Sequence, residues 1–176
     1  MDFSERLSQD SAKLIDRWAE LVLGTYPPET QQVWRKQVNR FANPVGQAIR
    51  EGCDEIFGLF LAWDDAEKIG NALENLVKIR AVQNFHPSQA LSFVYLLKKV
   101  LREAYLDELD KTGQLTDLLG YETRIDNMGL IAFDLYSKCR EQIFDLRVKE
   151  VKLAQHNLLR RARMIVESPA AGADER

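Results

Sequence analysis

Histidine and cysteine are scarce in this chain. Its 176 residues hold two of each, His86 and His156, Cys53 and Cys139. A haem or metal centre needs at least one well-placed ligand. His86 stands directly before Pro87 at a helix start, where a capping or loop role outweighs ligation. His156 lies between Gln155 and Asn157, a solvated setting. With no HExxH and no Glu-x-x-His pair, no metal and no cofactor is expected. The cysteines have no CxxC or other metal spacing. Each falls on an apolar helical stripe, Cys53 with Val45, Ile49, Ile56 and Phe60, so both are expected as buried thiols in a reducing compartment.

Other absences narrow the class further. There is no glycine-rich phosphate loop and no G-x-S-x-G, and neither histidine pairs with a cysteine by any local motif, so no enzyme is expected. No alternating strand pattern of useful length occurs, which predicts an all-α chain. No window approaches the roughly 20 apolar residues of a membrane span. The charged start, Met1-Asp2-Phe3-Ser4-Glu5-Arg6, is unlike a signal peptide, and a cytoplasmic location is expected. The net charge of −3 gives no global preference for nucleic acid.

What is present is helical periodicity, above all from Tyr121 to Val166. No proline and a single glycine, Gly129, interrupt that stretch. Ile125, Met128, Ala132, Leu135, Cys139, Ile143 and Leu146 recur in steps of three and four and put one stripe on one face. As a single helix the stretch is roughly 70 Å long, against about 8–20 residues for a globular helix. Its first half reads as core and its second as a protruding arm. The expected fold is a helical bundle with a long C-terminal helix extending from the body. The domains expected are a helical body over residues 1–147, a helical arm over 148–167 and a disordered tail over 168–176.

Upstream, a first helix is expected over Phe3–Leu23, with Gly24 closing it in the left-handed conformation. A second starts at Pro28 and carries Val33, Trp34, Val38 and Phe41 on one face. Asn43-Pro44 caps a third, reaching about Ala62. Its end, Ile56 to Trp63, is apolar all round and expected to be central. Asp64 with Glu67 reads as a capping box for a fourth, running to about Phe85. The fifth starts after His86 and carries Phe93, Val94, Leu97, Val100 and Leu101. Asp107–Gly113 reads as a loop, and Leu115–Leu119 as a short separate helix before Gly120. Phe93, Leu97, Phe133 and Leu135 are expected in the core. Arg124, Asp126, Asp134, Arg140 and Glu141 read as solvated or ion-paired positions.

The arm is basic. Arg147, Lys149, Lys152, Arg160, Arg161 and Arg163 face one acid, Glu150, in a chain whose net charge is negative. Val151, Leu158 and Ile165 recur every seven residues, with Val148 and Ala162 between them, a short coiled-coil seam. The expected partner or dimer interface is Val148, Val151, Leu158, Arg160, Arg161, Arg163 and Ile165. A homodimer or a protein partner is favoured. Nucleic acid is disfavoured, since no aromatic residues interleave with the charges, and membrane-surface contact ranks below protein contact.

Three stretches together resemble the N-terminal domain of the RsbT co-antagonist RsbRD family. The first is Arg40-Phe41-Ala42-Asn43-Pro44-Val45-Gly46 with Ile49-Arg50-Glu51-Gly52. The second is Ile79-Arg80-Ala81-Val82-Gln83-Asn84-Phe85-His86-Pro87-Ser88-Gln89-Ala90, with Phe93-Val94 and Leu97-Lys98. The third is Arg124-Ile125-Asp126, Ala132-Phe133-Asp134-Leu135-Tyr136 and Cys139-Arg140-Glu141, closing on Arg147-Val148-Lys149-Glu150-Val151. The likeness runs from about Leu14 to about Val151. It implies a dimeric, globin-like, haem-free sensory domain of stress signalling, without catalytic or haem-ligating residues. In relatives a linker helix leads on to a STAS or other output domain. Here the sequence stops after the arm, so a stand-alone sensor or adaptor is expected. His86 departs from the small capping residue usual before Pro-Ser-Gln. The rival reading is a ligand- or cofactor-binding globin-like protein associated with an anaerobic redox or membrane complex.

Overall fold

Capping side chains set most of the helix boundaries. The computed structural model describes residues 2–31, 43–83 and 85–166, with side chains to residue 162. Among them six helices are bounded: α1 (Phe3–Gln9), α2 (Ser11–Leu23), α3 (Pro44–Ala62), α4 (Ala66–Ala81), α5 (Pro87–Thr112) and α6 (Leu115–Val166). Residues 28–31 are helical as well, and no strand occurs among the described residues. The chain is an all-α helical bundle with a long C-terminal helix. Val33, Trp34, Val38 and Phe41, expected on the second helix, lie outside the described residues, as do Arg40-Ala42, Asn84 and the tail from Ser168.

The chain divides into two compact units, Met1–Cys139 and Arg140–Arg176. In the first, α2 packs on α3 and α5, and α4 packs on α3 and α5. Trp18 is fully buried between them, and its indole N–H donates to the Phe93 carbonyl at 2.7 Å. That bond removes the cost of leaving an indole donor unpaired in an apolar interior. Phe3, Tyr105, Tyr121 and Phe60 form a chain of edge-to-face rings with centroids 5.2–5.5 Å apart, tying α1 to α5, α6 and α3. Helix α6 enters this core through Leu118, Ile125, Met128, Ala132, Tyr136 and Cys139. Two ion pairs fix α6 to α5: Arg102 with Glu122 at 2.5 and 2.7 Å, and Lys98 with Asp126 at 2.7 Å.

Several local expectations meet the chemistry that was read for them. Asn43 caps α3, its side chain accepting from Gly46 N at 2.9 Å, with Pro44 at the first helical position. His86 occupies the N-cap of α5, and its backbone N–H donates to Gln89 Oε1 at 3.1 Å. Both cysteines are free and buried.

Others are corrected. The first helix breaks at Asp10, whose carboxylate accepts from the Tyr105 hydroxyl at 2.6 Å. Gly24 does close α2, but with φ −64, a right-handed conformation open to any residue. The end of α3, though apolar all round in sequence, is not buried all round: Gly58 and Ala62 are exposed while Ile56, Phe57 and Phe60 are buried. The cap of α4 is Asp65, not Asp64, accepting from Glu67 N and Lys68 N at 3.1 and 3.0 Å, and α4 ends at Ala81. Asp107–Thr112 is not a loop but the end of α5, because Leu109 is fully buried while its charged neighbours face solvent. The stop comes at Gly113, left-handed with φ 71. Gly120 lies inside α6, with open space where a β-carbon would be, so the short piece and the long helix are one.

Phe93 and Leu97 are fully buried and Leu135 is half-buried against the core, but Phe133 is 55% exposed. It follows Ala132, so it sits about 100° round the helix from the buried stripe. That stripe also stops sooner than its periodicity suggests. Cys139 is its last buried residue, Ile143 is half-buried and Leu146 exposed.

Candidate functional site

In the second unit the helix presents an apolar seam without a cover. Phe144, Val151 and Leu158 follow one another at seven-residue steps and are 66%, 56% and 65% exposed. Val148, half-exposed, and Ala162, exposed, fall between those steps on the same side. Phe144 lengthens the expected seam by one heptad toward the amino end. Arg160 and Arg161 are exposed. Among the described residues, Arg147, Lys149, Lys152, Arg160 and Arg161 form no ion pair. The backbone stays helical to Val166, while the side chains of Arg163 and Ile165 lie outside the described residues. Such a helix has weak support from propensity alone, because most helix stability in proteins comes from packing one face.

The residues that carry the family-like stretches hold the first unit together. Gly52 in α3 lies against Leu76 of α4, where a β-carbon would overlap the leucine side chain. Arg124, read from sequence as a solvated or paired position, lies over the carboxyl end of α3. Its Nη1 donates to the carbonyls of Phe60 and Leu61 at 3.1 and 3.0 Å, and its guanidinium stacks on Tyr121 and Trp63 at 4.5 and 5.7 Å. A cation there satisfies carbonyls that no helical N–H reaches and complements the negative end of the helix dipole. It also seats Trp63, whose φ of 50 is unusual for a bulky residue.

Arg80 of α4 is the position that sequence reasoning missed. It is only 1% exposed. Its Nε donates to the Ala90 carbonyl at 2.7 Å, and Nη2 to the Gln89 carbonyl at 2.7 Å and to Thr25 Oγ1 at 3.0 Å. The rings of Tyr26, Phe85 and Phe93 surround the guanidinium at 5.1, 4.8 and 6.0 Å. Among the described residues no carboxylate pairs with it, and residues 32–42 and 84 contain no Asp or Glu. A buried cation with no counter-charge is costly, and carbonyl dipoles and ring faces offset only part of that cost. Desolvation accordingly pushes the Arg80 pKa down. Burial likewise raises the pKa of the Tyr26 hydroxyl, which the charge of Arg80 and hydrogen bonding from Gln83 and Arg80 lower in part. Burial also pushes the Cys53 thiol up to about 12, against the opposing charges of Arg50 and Arg80. One sequence signal pointed to Arg80: it falls on the same helical face as Leu73, Leu76 and Val77.

Among the described residues no group of three or more His, Cys, Asp or Glu side chains is placed to hold a metal ion, and no helix is long and apolar enough to cross a membrane.

Comparison with known proteins places the chain in one family. The chain is 26% identical over 142 residues to an uncharacterized protein of Archaeoglobus fulgidus, covering 80% of this chain and 84% of that one. No solved structure matches it. The family model described as the RsbT co-antagonist protein rsbRD N-terminal domain matches residues 12–151, which include the caps at Asn43 and His86, buried Arg80, Arg124 over the end of α3, and the first half of the exposed seam. The chain belongs to the RsbT co-antagonist protein RsbRD N-terminal domain family.

Proposed function

We propose that this chain is a non-enzymatic signalling module, a sensor or adaptor in stress or redox regulation, which acts by protein contact through its C-terminal helix. The observation that carries the reading is the uncovered seam of Phe144, Val151 and Leu158 beside basic residues that have no ion-pair partner among the described residues. Family membership supports the signalling context. A second copy of the chain is the simplest cover, since a seven-residue repeat packs well against its own kind. Val148, Val151 and Leu158 face the partner, and Arg160 and Arg161 meet acidic groups at the rim. A cytoplasmic setting suits the free thiols of Cys53 and Cys139.

The test is thiol protection. A cysteine introduced by Leu158→Cys should resist a maleimide at high protein concentration and react on dilution. One introduced by Leu153→Cys, which lies well round the helix from the seam, should react at every concentration. Equal reactivity of the two at all concentrations contradicts the proposal.

The rival reading, a ligand-binding domain, is favoured by one specific observation. Arg80 is a buried cation with no carboxylate beside it among the described residues.

A further inference from the structure

Arg124 uses only one of its nitrogens on α3. Nη1 donates to the carbonyls of Phe60 and Leu61, while Nε and Nη2 have no hydrogen-bond partner among the described residues. The same side chain lines a cavity of about 270 Å³ between the start of α1 and the first turns of α6. Phe3 and Tyr121 give the cavity apolar walls, and Asp2 and Asp117 border it with carboxylates. Both carboxylates are exposed. Neither they nor Arg124 form an ion pair among the described residues. Gly120 lines the cavity too. No atom comes within 4 Å of the place its β-carbon would take, and its φ is not positive. A glycine inside a helix is destabilising relative to alanine, and here neither packing nor conformation calls for one. A side chain at that position would narrow the cavity.

Helical side chains lean toward the amino end, so the Arg124 guanidinium lies over the turn before it, where it stacks on Tyr121 at 4.5 Å. Asp117 stands one turn further back, roughly 5 Å along the axis. Gly120 falls between the two charges. A plain anion at the guanidinium meets two carboxylates, and a plain cation at the carboxylates meets the guanidinium. A small zwitterion matches both. The volume is below the roughly 300–1,000 Å³ of sites for drug-sized ligands, so the occupant is small.

We propose that this cavity binds a free α-amino acid with a small apolar side chain. Its carboxylate accepts from Nε and Nη2 of Arg124 as a two-pronged pair. Its ammonium meets Asp117 and Asp2, and its side chain lies against Phe3 and Tyr121. Nη1 of the same arginine holds the carbonyls that end α3, so occupancy is coupled to the junction of α1, α3 and α6. The site lies in the first unit and does not depend on how the C-terminal seam is covered.

The experiment is calorimetric titration of the full chain with L-valine and L-leucine. Isovalerate and isobutylamine serve as controls, being valine without its amine and valine without its carboxylate. The expected result is saturable binding of at least one amino acid. Each control should bind about tenfold more weakly than valine or worse, the loss of one hydrogen-bonded charge. Asp117→Asn should weaken amino-acid binding by a similar factor. Gly120→Leu should abolish it while helix content, read by circular dichroism, is kept. Both variants leave the bonds of Arg124 to α3 intact, and if Gly120→Leu loses helix content, Asp117→Asn decides. The proposal is overturned if neither amino acid gives a saturable signal, or if either control binds as tightly as valine. It is equally overturned if Asp117→Asn binds as the unaltered chain does, or if a folded Gly120→Leu does.

Discussion

The phenol of Tyr95 lies across Gly129 so closely that a β-carbon on the glycine would overlap the hydroxyl oxygen and its ring carbon. This contact explains the only glycine between Tyr121 and Val166. On propensity alone, Gly129→Ala should stabilise α6 by about 1 kcal/mol. Here the side chain it would meet must move first, so the gain should be absent or reversed. In a Tyr95→Ala background the full gain should return. Chemical denaturation of the four proteins measures this coupling, and additive effects would show that the two residues do not touch.

Leu97 and Phe133 give a sharper contrast than their hydrophobicity suggests. Leu97→Ala opens a cavity in a fully buried site and should cost about 2–5 kcal/mol. Phe133→Ala removes a largely exposed ring and should cost below about 1 kcal/mol. Urea midpoints of the two variants decide it, and equal losses would mean that Phe133 is covered.

Arg124 and Arg17 both form several polar contacts, yet only one should matter for stability. Arg17 pairs with Glu20 and Glu103 at the exposed surface, so Arg17→Met should change stability by below about 1 kcal/mol. Arg124→Met strips two charge-assisted bonds from the carbonyls that end α3 and should cost about 1.5–3 kcal/mol. A thermal melt of each variant in low and high salt separates them, since only the Arg17 pairs should weaken with screening.

Cys53 makes the fold sensitive to alkali. Its thiol is raised from 9.0 to about 12 by burial, so the folded chain keeps a proton that the unfolded chain releases. The contribution is intact below pH 9 and is lost as pH rises from there toward 12, by about 1.4 kcal/mol per pH unit. Denaturation midpoints of the unaltered chain should fall between pH 8 and pH 10 more steeply than those of Cys53→Ala. Parallel slopes would place the alkaline sensitivity elsewhere, with Tyr26 and Tyr105, both also raised by burial, the next groups to test.

Signals that act over a few residues were legible in the sequence. Asn43-Pro44 and His86-Pro87 start helices because a cap and a proline act within one turn. The buried stripe from Ile125 to Cys139 was legible because helical spacing is local too. What escaped depends on tertiary partners. Asp10 breaks the first helix where the Tyr105 hydroxyl, 95 residues away, meets its carboxylate. Leu109 extends α5 through a polar segment because the core covers it. Arg80 looked like any helical arginine, and only the surrounding rings and carbonyls show it as a buried cation. Phe144 was missed from the seam, and Ile143 and Leu146 were read into the buried stripe beyond its end, since periodicity does not say where burial ends.

The central claim is that the C-terminal seam is an association surface, and sedimentation equilibrium of the full chain tests it most directly. The comparison is with the double variant Val151→Asp, Leu158→Asp, which puts carboxylates on the seam without touching a buried residue of the first unit. The account predicts a dimer for the unaltered chain and a dissociation constant raised roughly a hundredfold or more in the variant, with unchanged helix content. The same mass at every concentration for both proteins would contradict it.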